Sequence, residues 1–133
     1  MKALLEAIYK QYTDEDVSSD LRGAVTHFHF GQASADHDLP IVTYNIVGGS
    51  TDYSIASGAE EIETYSVQFS IFTETYIEGM DIYDAIGTAY QSKILPFSVG
   101  TCLICTRQSM VGPVIMDDAF QITTDYEIMY HLP

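Results

Sequence analysis

The chain has 133 residues, 47% of them apolar, with 19 acidic against 5 basic side chains for a formal charge of −14. That length fits one domain, residues 1–133, with a core of its own, and the apolar content excludes a disordered chain. The charge sets phosphate backbones and anionic lipid surfaces against it at long range, so tight binding to nucleic acid or a membrane is not expected.

Residues Lys2 to Tyr12 place Leu4, Leu5, Ile8, Tyr9 and Tyr12 at helical spacing, with Glu6, Lys10 and Gln11 off that stripe. This predicts an amphipathic first helix. Glu6 and Lys10 also interrupt the run where a signal peptide needs unbroken apolar residues, so the chain reads as cytoplasmic. The acids Asp14, Glu15, Asp16 and Asp20 then read as a solvated bend.

Three strands are expected next, at VTHFHF, PIVTYNIV and EIETYSVQFSIFTE, each rich in β-branched and aromatic residues. In the third, Tyr65, Val67, Phe69 and Ile71 alternate with Ser66, Gln68 and Ser70, so one face of the sheet is buried. Thr75 and Glu78 have the spacing of a capping box, in which hydroxyl and carboxylate satisfy the free N–H groups of a helix start. The second helix should run from there to about Ile94, ahead of Pro96. Gly79 and Gly87 within it each cost about 1 kcal/mol relative to Ala, which points to close packing or partner contact.

The end reads as a hairpin, TCLICTRQSM and AFQITTDYEIMYHL, joined by Val111 to Asp118. The order is α-β-β-β-α-β-β. It predicts an α+β fold, a mainly antiparallel sheet of about five strands with two helices packed on one face.

Three groups of residues invite chemistry. His27 and His29 would share a strand face, and Asp36, His37 or Asp38 could complete a metal shell. Against that, Phe28 and Phe30 claim the core, which turns both histidines outward, and no fourth ligand is evident. Cys102 and Cys105 have C-x-x-C spacing, but residues three apart in a strand project to opposite faces, and neither a helix N-terminus nor a second pair accompanies them. They read as reduced, buried or half-buried thiols. The glycine-rich stretch GGSTDYSIASG lacks the lysine and the following helix of a phosphate cradle. No catalytic group, metal or cofactor is therefore assigned, and a small metal- or thiol-dependent enzyme stands as the alternative. A ligand-binding domain, the third class, would need a closed apolar pocket.

Two stretches, Val47 to Glu61 and Met110 to Asp118, read as long loops that mix apolar residues with Gly and acids, and long loops in compact domains are usually functional. The candidate contact residues are Gly48, Gly49, Asp52, Tyr53, Ile55, Glu60 and Glu61 in the first. In the second they are Val111, Val114, Ile115, Met116, Asp117 and Asp118.

The first helix, LPIVTYNIV, the Gly/Ser-rich excursion, ETYSVQFSIFTETYIEGMDIYDAIGTAY and the closing DDAFQITTDYEIMYHL together resemble the tail-completion proteins of long-tailed phages and prophages, also called tail-terminator or head–tail joining proteins. The resemblance spans nearly the whole chain, though the HFH and CLIC stretches stand outside it. It implies a structural, non-enzymatic role: a ring, typically of six copies, that caps the tail tube and presents a surface to the head's neck. Its partners would be copies of itself, the tail tube protein and a neck or connector protein, with another neck component, a head-closure or connector adaptor, as the runner-up role. The protein would belong to the host cytoplasm during assembly and to the virion tail and neck afterwards. Six copies would carry six times −14, about −84, so that DNA passes as cargo without being held.

Overall fold

In the computed structural model, described here over residues 2–31, 38–53, 61–98, 100–116 and 119–132, a five-stranded sheet carries three helices on one face. The helices are α1 (Lys2–Thr13), α2 (Glu15–Ala24) and α3 (Tyr76–Tyr90). The strands are β1 (His27–Phe30), β2 (Ile41–Tyr53), β3 (Glu61–Thr73), β4 (Thr101–Met116) and β5 (Ala119–Leu132). The α+β class and the mainly antiparallel sheet agree with the sequence reading. A third helix does not.

That helix, α2, replaces the expected acidic bend. Asp14 caps it, its carboxylate accepting from the Asp16 N–H at 2.9 Å, and Glu15 and Asp16 occupy the first turn, where the helix dipole favours negative charge. With only Leu21 and Ser18 fully buried, it shows too narrow an apolar stripe to be recognised from spacing. Ser18 departs from helical geometry and kinks α2, and its hydroxyl donates to the Gln11 carbonyl of α1.

The strand order is β1-β2-β3-β5-β4, with β1 parallel to β2 and every other neighbouring pair antiparallel. The β1–β2 pair is the one parallel neighbour pair among the described strands, in a sheet expected to be mainly antiparallel. Four residues of β1 advance only about 13 Å, a distance within the reach of ten residues of chain. Both β3 and β4 run against β5, so α3 crosses over between two strands that point the same way.

The core lies between the sheet and the helices. Val42, Tyr44, Val67, Phe69, Ile71, Ile122, Tyr126 and Ile128 meet Leu4, Ile8, Ile82 and Ile86 there. Aromatic rings dominate its centre: Phe69 touches Tyr90 at 4.9 Å and meets Tyr126 edge-on at 5.5 Å, and Tyr12 stacks on Phe28 at 4.3 Å. Two buried hydrogen bonds join α1 to α3, from Gln11 Nε2 to the Ala89 carbonyl and from the Tyr90 hydroxyl to the Ile8 carbonyl, each 2.7 Å.

The α3 glycines sit where packing is close. A Cβ on Gly79 would come within 2.9 Å of Ile122 Cδ1, and one on Gly87 within 3.0 Å of Arg107 Nη1. Thr75 caps α3 by accepting from the Glu78 N–H at 3.2 Å. The helix ends at Tyr90, short of the expected Ile94, which is exposed. Among the described residues no helix is long and apolar enough to cross a membrane.

Candidate functional site

The two expected contact loops are mostly strand. Gly48, Gly49, Asp52 and Tyr53 lie in β2, in register with Ser66, Tyr65, Ile62 and Glu61 of β3. GGSTDY reads as loop because it lacks β-branched apolar residues, but backbone ladder bonds and the neighbouring strand hold it extended. A Cβ on Gly49 would come within 2.6 Å of the Tyr65 ring, so the glycine leaves room for that ring. Val111, Val114, Ile115 and Met116 lie in β4 opposite Thr123, Gln121, Phe120 and Ala119, so this stretch too is strand where it was expected to be a connection. Ile55, Glu60, Asp117 and Asp118 lie outside the described residues.

Strand β4 is an edge strand with three register shifts, at Cys102/Ile104, Arg107/Ser109 and Val111/Val114. The first corrects the cysteine reading. An extra residue, Leu103, resets the alternation, so Cys102 and Cys105 both turn into the core instead of to opposite faces. Both are free thiols. Burial pushes each up from its ordinary range, with nearby Cys102 adding to the effect on Cys105, so both stay protonated and poorly nucleophilic at neutral pH. The third shift holds Gly112 at φ +115, where a Cβ would also lie 2.6 Å from the Gln121 carbonyl oxygen.

His27 and His29 lie on β1 with ring centroids 5.9 Å apart, both partly buried. Phe28 is buried between them, whereas Phe30, expected in the core, is 54% exposed at the end of this edge strand. Among the described residues no three His, Cys, Asp or Glu side chains gather closely enough to hold a metal ion, while Asp36 and His37 lie outside those residues.

Exposed apolar side chains include two groups on the helical side of the sheet, besides Val47, Ile94 and Leu103, Ile104, Met110, Val111 and Val114 of β4. At one, Tyr9 of α1, expected in the core, lines an open groove of about 360 Å³ with Glu6, Lys10, Tyr44 and Leu5, which is half-buried and packs against the core as expected. Tyr9 is 47% exposed, and Phe30 extends the apolar surface, its ring 5.7 Å from Tyr44. Burial pushes the Tyr44 hydroxyl up to about 12, with Tyr9 adding to the effect.

At the other place, Tyr76 and Ile77 open α3 at 55% and 59% exposure. Tyr76 meets Phe120 edge-on at 6.3 Å, and Phe120 pairs across the strands with Ile115, itself 71% exposed. The sequence reading found Ile115 but missed Tyr76, Ile77 and Phe120. The available signal was Ile77, an apolar residue off the buried 79, 82, 86, 90 stripe of α3.

No family model matches this chain, and no curated protein matches its sequence. Among solved structures, a chain described as "Virion of native gene transfer agent (GTA) particle" has a similar fold, at 13% identity and a TM-score of 0.70. The match covers 93% of this chain and 91% of that one, so the two share an architecture from end to end.

Proposed function

We propose that this chain is a structural component of a phage-like particle and acts at the end of the tail, where a ring of copies caps the tube, stops its growth and offers a surface to the neck of the head. The observation that carries this reading is the fold shared with a gene transfer agent virion chain along nearly the full length of both. Exposed Tyr9, Phe30, Tyr76, Ile77 and Ile115 add support, because a chain that works by contact with other proteins needs apolar surface to cover.

Deleting the gene in a producing host and imaging the lysate tests the role. Overlong tails detached from filled heads are expected, with normal particles restored when the gene is supplied in trans. Tails of normal length beside heads that lose their DNA would place the chain at the neck instead. Intact, infective or transducing particles without the gene would end the structural reading altogether.

A further inference from the structure

The chain has two arginines, and their settings differ. Arg22 lies on the surface, 3.5 Å from the Glu15 carboxylate, and donates to the Thr13 carbonyl. Arg107 is half-exposed on β4, and although the chain has 19 acids, none of those described comes within ion-pair distance of it. Its guanidinium is nevertheless held in place. The Cζ atom stands 4.8 Å from the centre of the Tyr83 ring, and Nη1 lies against the bare backbone of Gly87, 3.0 Å from where a Cβ would be. Gln91 Oε1 accepts from the Arg107 backbone N–H, which ties this point of β4 to the end of α3. Tyr126 pairs with Arg107 across the strands. Its hydroxyl is buried with no hydrogen-bond partner among the described residues, 3.9 Å from the same empty Gly87 position. Burial raises the pKa of that hydroxyl, and nearby Arg107 draws it back down.

We propose that Arg107 is the seat for one carboxylate on a side chain of another protein, with Tyr126 beneath it as a positioning residue. A guanidinium drawn partly out of water calls for an anion, and its planar fork matches the two oxygens of a carboxylate. The buried hydroxyl can accept from the inner edge of the guanidinium after a small shift, which satisfies an orphaned polar group and leaves the outer edge to the ligand. Charge selects among anions. Helix α3, which supplies Tyr83 and Gly87, also carries Glu78, Asp81 and Asp84 and no base, and their repulsion grows with the charge of the ligand, so a singly charged carboxylate is favoured over phosphate. Half-exposed, the guanidinium gives a free acid little enclosure, whereas a protein side chain arrives already anchored by its own chain. The seat stands independently of the tail reading, and its test uses no virion component, so the two can fail separately.

Having only two arginines makes the test clean, because each gives one Nε–H signal in a nitrogen–proton correlation spectrum and Arg22 serves as the internal control. The probes are sodium acetate, N-acetylglutamate methylamide, which presents its carboxylate on a peptide side chain, and sodium phosphate, all at constant pH and ionic strength. Both carboxylates should move the Arg107 signal saturably and leave that of Arg22 in place, the glutamate derivative binding at least as tightly as acetate and phosphate more weakly than either. Tyr126→Phe should weaken binding roughly three- to tenfold, by loss of one hydrogen bond that holds the fork. Arg107→Lys keeps the charge and loses the fork, and should weaken binding roughly tenfold, followed on the Gly87 amide. Retained dispersion of the backbone signals checks that each variant folds, and the wild-type titration stands whether or not they do. An Arg107 signal that ignores both carboxylates, or moves only as that of Arg22 does, overturns the inference. Tighter binding of phosphate overturns the carboxylate, tighter binding of acetate than of the glutamate derivative overturns a protein side chain as its source, and folded variants that bind undiminished overturn the seat.

Discussion

Gln11 Nε2 donates a 2.7 Å hydrogen bond to the carbonyl of Ala89, joining the first helix to the last turn of α3, 78 residues later. The Ala89 carbonyl is one of those that a helix end leaves without an intrahelical partner, and Gln11 is 4% exposed, so water cannot easily take its place. Gln11→Leu should keep the volume and strand that carbonyl, costing about 1–3 kcal/mol. Urea unfolding should show a lower midpoint at an unchanged slope; an unaltered midpoint would mean that the bond contributes nothing net.

The two α3 glycines should respond in opposite directions to Ala. Either substitution gains about 1 kcal/mol of helix propensity. At Gly79 the added carbon meets the buried Ile122 Cδ1 at 2.9 Å and Thr73 Oγ1 at 3.0 Å, so overpacking of about 1–3 kcal/mol should outweigh the gain. At Gly87 the obstacle is the tip of Arg107, a half-exposed side chain able to move aside, and stability should rise by roughly 0.5 kcal/mol. Paired thermal melts decide it, and equal shifts of one sign would refute the argument.

Alkali should unfold the protein abruptly. Burial raises the hydroxyls of Tyr44, Tyr90, Tyr126 and Tyr130 above 10.0, and a hydrogen bond to Glu63 adds to the effect at Tyr130. A group whose folded value is raised contributes stability that is whole below its unfolded value and lost as pH climbs towards the folded one. For Tyr44 that window runs from 10.0 to about 12. Near-ultraviolet circular dichroism should hold steady to about pH 9 and collapse above pH 10 together with a rise in tyrosinate absorbance. The chain has ten Tyr and no Trp, so the absorbance signal is clean. Ionisation of all ten near their ordinary value, with the dichroism intact, would contradict it.

Cys102 and Cys105 should ignore a thiol reagent at neutral pH until denaturant is added, when two equivalents should react. Rapid reaction of either thiol in the native protein would show that β4 opens readily around its first bulge.

The elements that were legible are those in which burial and sequence periodicity coincide. Val67, Phe69 and Ile71 in β3 and Ile82 and Ile86 in α3 are all fully buried, and the capping box marks where α3 begins. Helix α2 was hidden because its work is done by a cap and a narrow contact instead of an apolar stripe. The outer halves of β2 and β4 were hidden because Gly, Ser and Pro113 carry no strand propensity, and backbone pairing with β3 and β5 supplies the order in its place. Alternation counts fail beyond any bulge, so a single extra residue at Leu103 was enough to bring both cysteines to one face, though their reading as buried, reduced thiols holds. The two apolar surfaces were half legible. Ile115 was named for its apolar character and is exposed, but Tyr9 was counted as core because helical spacing fixes the direction of a face and not how far the sheet beneath it extends.

The bulges of β4 have a bearing on how the molecule survives being made in quantity. A straight, sixteen-residue border strand would be an open template for indiscriminate stacking into fibrils. Kinked at three points, it breaks the ladder after a few residues and so makes a poor template for that stacking.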